Sequence, residues 1–290
     1  MRLTSDNYVF SMNKENDPAI YVDSGDRLKV ETNDCFSGDV KSEADVISEI
    51  DFERVNPATG PIYINDAKAG DVLKVTIHAI ELADTAVAMA VPELGLLGDQ
   101  ITEEATKLMP ILDNQVEFNG KRYPLNKMVG VIGTAPAGTP VETGTPGDHG
   151  GNLDCQLIAE GSMLYLPVGV DGALLAIGDA HAMMGDGEIC GTGGEIATVV
   201  DLTVEVVKDM PTDILPLVET DDVWATLASA ETMEDASKKA VANMAKFYQA
   251  RTDSSLNDTN MFLSLFGNLK VCQVVNPTMT MRFEMKKAYL

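Results

Sequence analysis

Along Arg27-Leu-Lys-Val-Glu-Thr32 polar and apolar side chains alternate, the period of a strand with one buried face. Asp71-Val-Leu-Lys-Val-Thr-Ile-His-Ala-Ile80 repeats the pattern. Leu73, Val75, Ile77 and Ala79 share one face there, and Lys74, Thr76 and His78 share the other. His78 should thus sit at the surface or an interface. Further strands are predicted over 127–133, 155–159, 163–167, 173–177 and 195–207. A hairpin should join 269–275 to 278–285 through Asn276-Pro277. In its second strand Met279, Met281, Phe283 and Met285 alternate with Thr280, Arg282 and Glu284.

The segments between read differently. Asn56-Pro-Ala-Thr-Gly-Pro61 has turn chemistry, and 134–147 is loop by its Pro, Gly and Thr content. Residues 91–112 read as an excursion with a short helix, and 43–56 is ambiguous, mixing acids with Ile47, Ile50 and Phe52. Helices come late. Thr232-Met-Glu-Asp235 resembles a capping box, with Asp where Glu or Gln is usual, and Val241, Met244, Ala245 and Tyr248 form one helical stripe behind it. A second helix is predicted over 259–266, stopping at Gly267. Strands do not alternate with amphipathic helices, which argues against a Rossmann-type sheet. The predicted class is mainly β with a few helices: a β-sandwich or jelly-roll-like core, α+β additions near the C-terminus, one unit over 1–290.

Charge narrows the partners. Forty-five acidic against 21 basic side chains leave a formal charge of -24 at pH 7. That field repels phosphate backbones and anionic membranes, so nucleic acid and lipid are poor partners, while a neutral or cationic small molecule or a metal ion suits it. No basic-then-apolar leader and no membrane-length apolar run is evident. Cys35, Cys155, Cys190 and Cys272 form no Cys-x-x-Cys pair and read as reduced thiols, so a cytoplasmic location is expected.

The chemistry concentrates in two glycine- and carboxylate-rich patches that hold two of the three histidines. One is Gly147-Asp-His-Gly-Gly-Asn-Leu-Asp154; the other runs from Gly178-Asp-Ala-His181 through Asp186-Gly-Glu188 to Gly191. Imidazoles beside carboxylates commonly hold zinc with one position open. Singly, each patch reads equally as a solvated acidic turn; together they favour a metal site.

Those patches resemble the two signatures of the acetamidase/formamidase family. His149-Gly-Gly-Asn-Leu-Asp154 is similar to its His-Gly-Gly-Asn-Met-Asp run, and Gly178-Asp-Ala-His181 with Met184-Gly-Asp-Gly-Glu188 to its second run, Met184 pointing to the acetamidase-like branch. Glu31-Thr-Asn-Asp34, Asn56-Pro-Ala-Thr-Gly-Pro-Ile-Tyr63 and Ala69-Gly-Asp-Val-Leu73 resemble its amino-terminal pattern. Gly267-Asn-Leu…Gln273-Val-Val-Asn-Pro277 resembles its carboxy-terminal one, with Asn268 and Asn276 replacing acids. The resemblance implies hydrolysis of the C–N bond of short linear amides to carboxylate and ammonia. It also implies a β-rich homo-oligomer, dimer or tetramer, acting on a small neutral amide.

For that chemistry the residues offer a divalent metal, zinc first, with room for a second ion, calcium or magnesium. His149 and His181, expected to converge on one ion, are the nitrogen ligands, and Asp34, Asp154 and Asp179 the oxygen ligands. Glu188 is the candidate general acid and base, with a ligand role the even alternative. Gly150, Gly151 and Gly187 would let backbone amides approach substrate, and Asn152 could hydrogen-bond the amide. Asp186 is a turn or ligand residue. Two other readings stay open: a cysteine nucleophile at Cys190, disfavoured by its acidic surroundings, and a non-catalytic β-sandwich holding a structural ion.

Overall fold

In the computed structural model, residues 1–51 and 54–290 are described; Phe52 of the ambiguous 43–56 stretch lies outside them. The alternating segments build a nine-stranded sheet. Its order is Arg2–Leu3, Arg27–Thr32, Thr198–Val207, Val72–Leu82, Met163–Pro167, Leu217–Glu219, Val223–Ala230, Met279–Lys286 and Asn268–Gln273. A second sheet runs Gly150–Asn152, Met128–Gly133, Leu175–His181, Ala58–Ile64 and Tyr8–Val9, with Ile20–Val22 also on Ala58–Ile64. The main core lies between these sheets. Leu28, Leu73, Val75, Leu166 and Val200 of the first meet Ile62, Val129, Ile132 and Ile177 of the second, without solvent.

The other face of the large sheet carries the helices. α1, Met233–Thr252, and α2, Leu256–Phe266, bury Ala240, Met244, Phe247 and Leu263 against Val72, Leu217, Phe283 and Met285. Thr232 caps α1 as expected, accepting from the Asp235 amide at 3.1 Å. α2 begins three residues earlier than predicted. Ser255 accepts from the Asp258 amide at 3.1 Å, a second Ser/Thr-x-x-Asp start of the same kind. Among the described residues no helix is long and apolar enough to cross a membrane.

Several local expectations are corrected. Residues 155–159 form partly buried turns rather than a strand, with the Ile158 amide on the Cys155 carbonyl at 2.8 Å; a short apolar run does not by itself distinguish the two. The turn at 56–61 is confined to its start, where Asn56 adopts φ 58°, and the chain then enters strand Ala58–Ile64. Residues 91–112 hold a 3-10 turn at Gly98–Gln100 and a strand, Ala105–Leu112, half-buried and so without clean alternation. That strand joins Thr85–Ala90, Gln115–Phe118 and Lys121–Pro124 in a four-stranded sheet.

His78 is exposed, its Nε2 2.8 Å from Thr203 Oγ1. It is the extra residue of a bulge, since Ile77 pairs with Leu202 and Ala79 with Asp201. The slip moves Ile80, not Ala79, into the core.

Candidate active site

Strand Leu175–His181 is buried along its whole length, because it lies between two neighbours and under the large sheet. It nevertheless carries Asp179 and His181. Regular pairing with Met128–Gly133 holds on both sides, Val131 opposite Gly178 and Val129 opposite Ala180. Between them Asp179 turns to φ 50°. Asp154 and Glu188 also sit in the left-handed region, at φ 44° and 48°. All three carboxylate residues thus share the left-handed region, which non-glycine residues adopt less often.

Gly130 makes the space. A Cβ there would strike Asp154 Oδ1 and stand 2.7 Å from Asp179 Oδ2. Asn152 and Asn276 complete this half. The Asn276 amide donates to Asp154 Oδ2 at 2.7 Å and to the Asn152 carbonyl at 3.1 Å. With its amide oriented by the same network, Asn152 donates to Asp154 at 3.1 Å and to Asp179 Oδ2 at 2.8 Å. The two amides thus supply neutral donors to adjoining carboxylates.

Glu195 closes the other side. Its backbone bridges Val87, with both N–H to O distances 2.8 Å, and His181 on the opposite flank. This single residue therefore stitches Thr85–Ala90 to Leu175–His181. Its Oε1 accepts from the Gly193 amide at 2.7 Å, while Oε2 is buried without a hydrogen-bond partner. His181 Nε2 lies 3.1 Å from that Oε2, 3.6 Å from Asp179 Oδ1 and 3.8 Å from Glu188 Oε1, yet neither ring nitrogen has a properly aligned partner.

Four carboxylates thus converge on one imidazole in a dry setting. Burial, then the Asp179 charge, pushes Asp154 up to about 7. Burial likewise raises Glu195 to about 7, with Asp179 adding to the effect. Glu188 is held well above the usual carboxylate range by burial and the Asp154 charge. Burial pulls His181 down, but the Glu195 and Asp179 carboxylates outweigh it and hold the imidazole well above its ordinary value. A bound divalent cation would compensate such a cluster.

The donors fit a divalent ion on two counts. Asp154, His181 and Glu188 place ligand atoms within 4.8 Å of one another, and so do Cys35, Asp179 and Glu195; all six are buried. The partnerless His181 and Glu195 atoms point into the same space.

Glu188 also lines a cavity of about 350 Å³ with Ala88, Met109, Met183, Met184 and Cys190. Its loop is anchored from the C-terminal hairpin. Arg282 grips Asp186 with two bonds of 2.7 Å, and the Gly187 amide donates to the Cys272 carbonyl at 2.8 Å.

The family model for the acetamidase/formamidase family matches residues 12–143 and 138–217. The chain belongs to that family. An acetamidase from Bacillus halodurans superposes with a TM-score of 0.98 at 48% identity, covering 100% of this chain and 98% of that one. A predicted acetamidase/formamidase from Thermoanaerobacter tengcongensis gives 0.97 at 46%, covering 100% and 96%. A putative formamidase of Schizosaccharomyces pombe is 26% identical over 256 residues, 67% of this chain. The match spans 62% of that relative's own length.

Against the sequence expectations, Asp154, Asp179, His181 and Glu188 come together. His149 does not join them. Strand Met128–Gly133 pairs Gly133 with Gly150 at one end and Met128 with His181 at the other. At about 3.3 Å per residue those ends lie on the order of 16 Å apart. His149 stands in neither group of ligand atoms, so the structure does not bring both imidazoles to one ion. The His149 ring packs between Gly147 and Gly151, and its buried Nε2 has no partner. Burial lowers it to about 4, so it is neutral at pH 7.

Asp34 is outside both ligand groups and turns a loop instead, Oδ1 accepting from the Phe36 amide at 2.9 Å and the Gly38 amide at 3.0 Å. The Gly150 and Gly187 amides are spent within the fold, on the Gly147 carbonyl at 3.2 Å and the Cys272 carbonyl at 2.8 Å. Gly151 adopts φ 83°, where a Cβ would also meet the Thr145 carbonyl. Cys190 is half-buried, its Sγ 3.3 Å from the Thr192 carbonyl.

Sequence reading missed Cys35 and Glu195. Glu195 opens the segment predicted as an alternating strand, and nothing local separates it from a solvated carboxylate. Cys35 adjoins Asp34 in an already noted element, but reads as a small hydrophobe. Asn276 was visible as a departure from the family's acid; its contact with Asp154 explains what an amide does there.

Proposed function

We propose that the chain hydrolyses the C–N bond of short linear amides, releasing carboxylate and ammonia. The observation that carries the reading is the buried Asp154–His181–Glu188 group, with its partnerless imidazole nitrogen, meeting the methionine-lined cavity at Glu188. Family membership and the names of the relatives support the substrate class. The apolar lining suits an acyl group, while the acidic surroundings disfavour an anionic one.

Asp154, Asp179 and His181 would hold a divalent ion, zinc first, with Glu188 or Glu195 completing the set. Such an ion supplies acidified water at neutral pH and polarises a carbonyl oxygen. Glu188 then takes a proton from the attacking water and returns it to the leaving nitrogen. Burial and the Asp154 charge hold it above the usual carboxylate range, which favours the protonated form that donates to the leaving nitrogen. Asn152 and Asn276 hold Asp154 and Asp179 apart from bulk water and fix their orientation. His149, neutral and with a partnerless Nε2, stands outside this ligand set.

A homo-oligomer is part of the proposal: Leu256, Leu265, Phe266, Leu269 and Leu290 leave an exposed apolar area around α2 and the C-terminus. Light scattering after gel filtration reads its size.

The test is ammonia release from formamide, acetamide and propionamide, before chelation, after it, and after zinc is restored. Activity that disappears with the ion and returns with it supports the reading. Chelator-resistant activity that Cys190→Ala abolishes would replace it with a thiol mechanism. No turnover of any amide by metal-loaded protein would leave a non-catalytic ion-binding sandwich.

A further inference from the structure

Cys35 follows strand Arg27–Thr32 and is 6% exposed. Its backbone carbonyl accepts from the Asn56 amide at 2.8 Å, which ties the residue to the turn that leads into strand Ala58–Ile64. Phe36, Val40, Ile47, Val87 and Met89 surround it on one side. A thiol that serves only as a small hydrophobe would end among such groups. This sulfur instead lies within 4.8 Å of carboxylate oxygens of both Asp179 and Glu195.

The second observation is Glu195 Oε2. It belongs to a residue 2% exposed, has no hydrogen-bond partner and faces the same space. Two of the three remaining thiols have other neighbours. Cys272 lies 3.8 Å from an Arg282 nitrogen, and Cys190 turns to Thr192. Among the described residues only Cys35 contributes sulfur to a ligand group.

We infer that Cys35 is a metal ligand, and that Cys35, Asp179 and Glu195 hold a thiophilic divalent ion of the zinc class beside the Asp154–His181–Glu188 position. This rests on reading the cluster as a metal centre. Coordination breaks the S–H bond, the electron pair stays on sulfur, and the proton passes to solvent; nothing is oxidised or reduced. A thiolate selects zinc or cobalt over calcium or magnesium, which take oxygen. The ion on the Cys35 side is therefore of the zinc class rather than calcium or magnesium.

The experiment replaces the ion by cobalt(II) in the whole purified protein, without substrate. A sulfur ligand produces a sulfur-to-cobalt charge-transfer band in the near ultraviolet. Wild-type protein should show it, Cys190→Ser should keep it, and Cys35→Ser should lose it, with metal content measured alongside by mass spectrometry. Should Cys35→Ser misfold by circular dichroism, the wild-type spectrum still decides, and Glu195→Gln serves as the second variant, expected to shift or weaken the band. Cobalt-loaded wild type without the band, a band that survives in folded Cys35→Ser, or failure to take up any divalent ion would overturn the inference. Because no amide is present, the result is separate from the amidase reading. Chelator-sensitive hydrolysis with no sulfur band would remove Cys35 alone.

Discussion

The two glycine-rich patches look interchangeable in composition, yet they do different work. In 178–191 the histidine, Asp179 and Glu188 all face one buried space, because His181 closes a fully buried strand and the following loop folds back under the grip of Arg282 on Asp186. In 147–154 Asn152 and Asp154 reach that space, and the histidine does not. His149, five residues earlier, lies by the opposite end of the shared neighbour Met128–Gly133. Composition marks a segment as suited to bind an ion. The register of its strand partner decides which of its side chains arrive.

The sharpest way to break this comparison is to remove each imidazole. His181→Ala should strip the metal and abolish amide hydrolysis, whereas His149→Ala should keep its metal content, read by elemental analysis. Loss of metal in both variants would mean that the two patches share the ion after all.

Next in size is Glu188→Gln, which should cut turnover on the order of 10²–10⁴-fold with metal retained. If the ion leaves as well, Glu188 is a ligand and the proton moves through another group. Metal content and rate must be taken from one preparation.

A smaller effect is expected at Gly130. Its φ lies outside the left-handed region, so alanine is acceptable to the backbone, but the added Cβ meets Asp154 and Asp179. Gly130→Ala should lower stability by about 1–3 kcal/mol, as overpacking does, and weaken metal binding, read by chemical denaturation and competition with a chromogenic chelator. Wild-type affinity in this variant would show that the carboxylates are not held at their observed spacing.

The mildest test uses pH. Asp154 and Glu195 have folded pKa values near 7, above the ordinary 3.8 and 4.5, so between about 4 and 7 the metal-free folded chain holds more protons than the unfolded one. Those two groups therefore make metal-free protein lose stability as pH rises through that window. A bound cation replaces the protons. The gap in melting temperature between metal-loaded and metal-free protein should widen from pH 5 to pH 7.5; a constant gap would mean that these carboxyls do not face the ion.

Much of this was legible in the chain. Alternation along 27–32, 71–80 and 279–285 foretold strands that exist, and Thr232-Met-Glu-Asp235 foretold the start of α1, since each signal is local and each residue's neighbours lie within a turn or a pleat. Family patterns, carried by short ordered runs, pointed to the amidase family and to Asp154, Asp179, His181 and Glu188. Less local features were not legible. The bulge at His78 depends on a partner more than a hundred residues away, and the strand at 105–112 is half-exposed and loses its alternation.

Sequence by itself determined the β-rich class, the late helices, the family and four of the clustered residues, because backbone period and short motifs are properties of contiguous residues. Only the tertiary structure decided that His149 stands apart, that Glu195 and Cys35 stand in, and that Asn276 reaches Asp154. Those outcomes follow from strand register and from how two sheets close over a space. Register is set by pairings between distant segments, and one buried space can draw side chains from 35, 154, 188 and 195 that no window of sequence contains together.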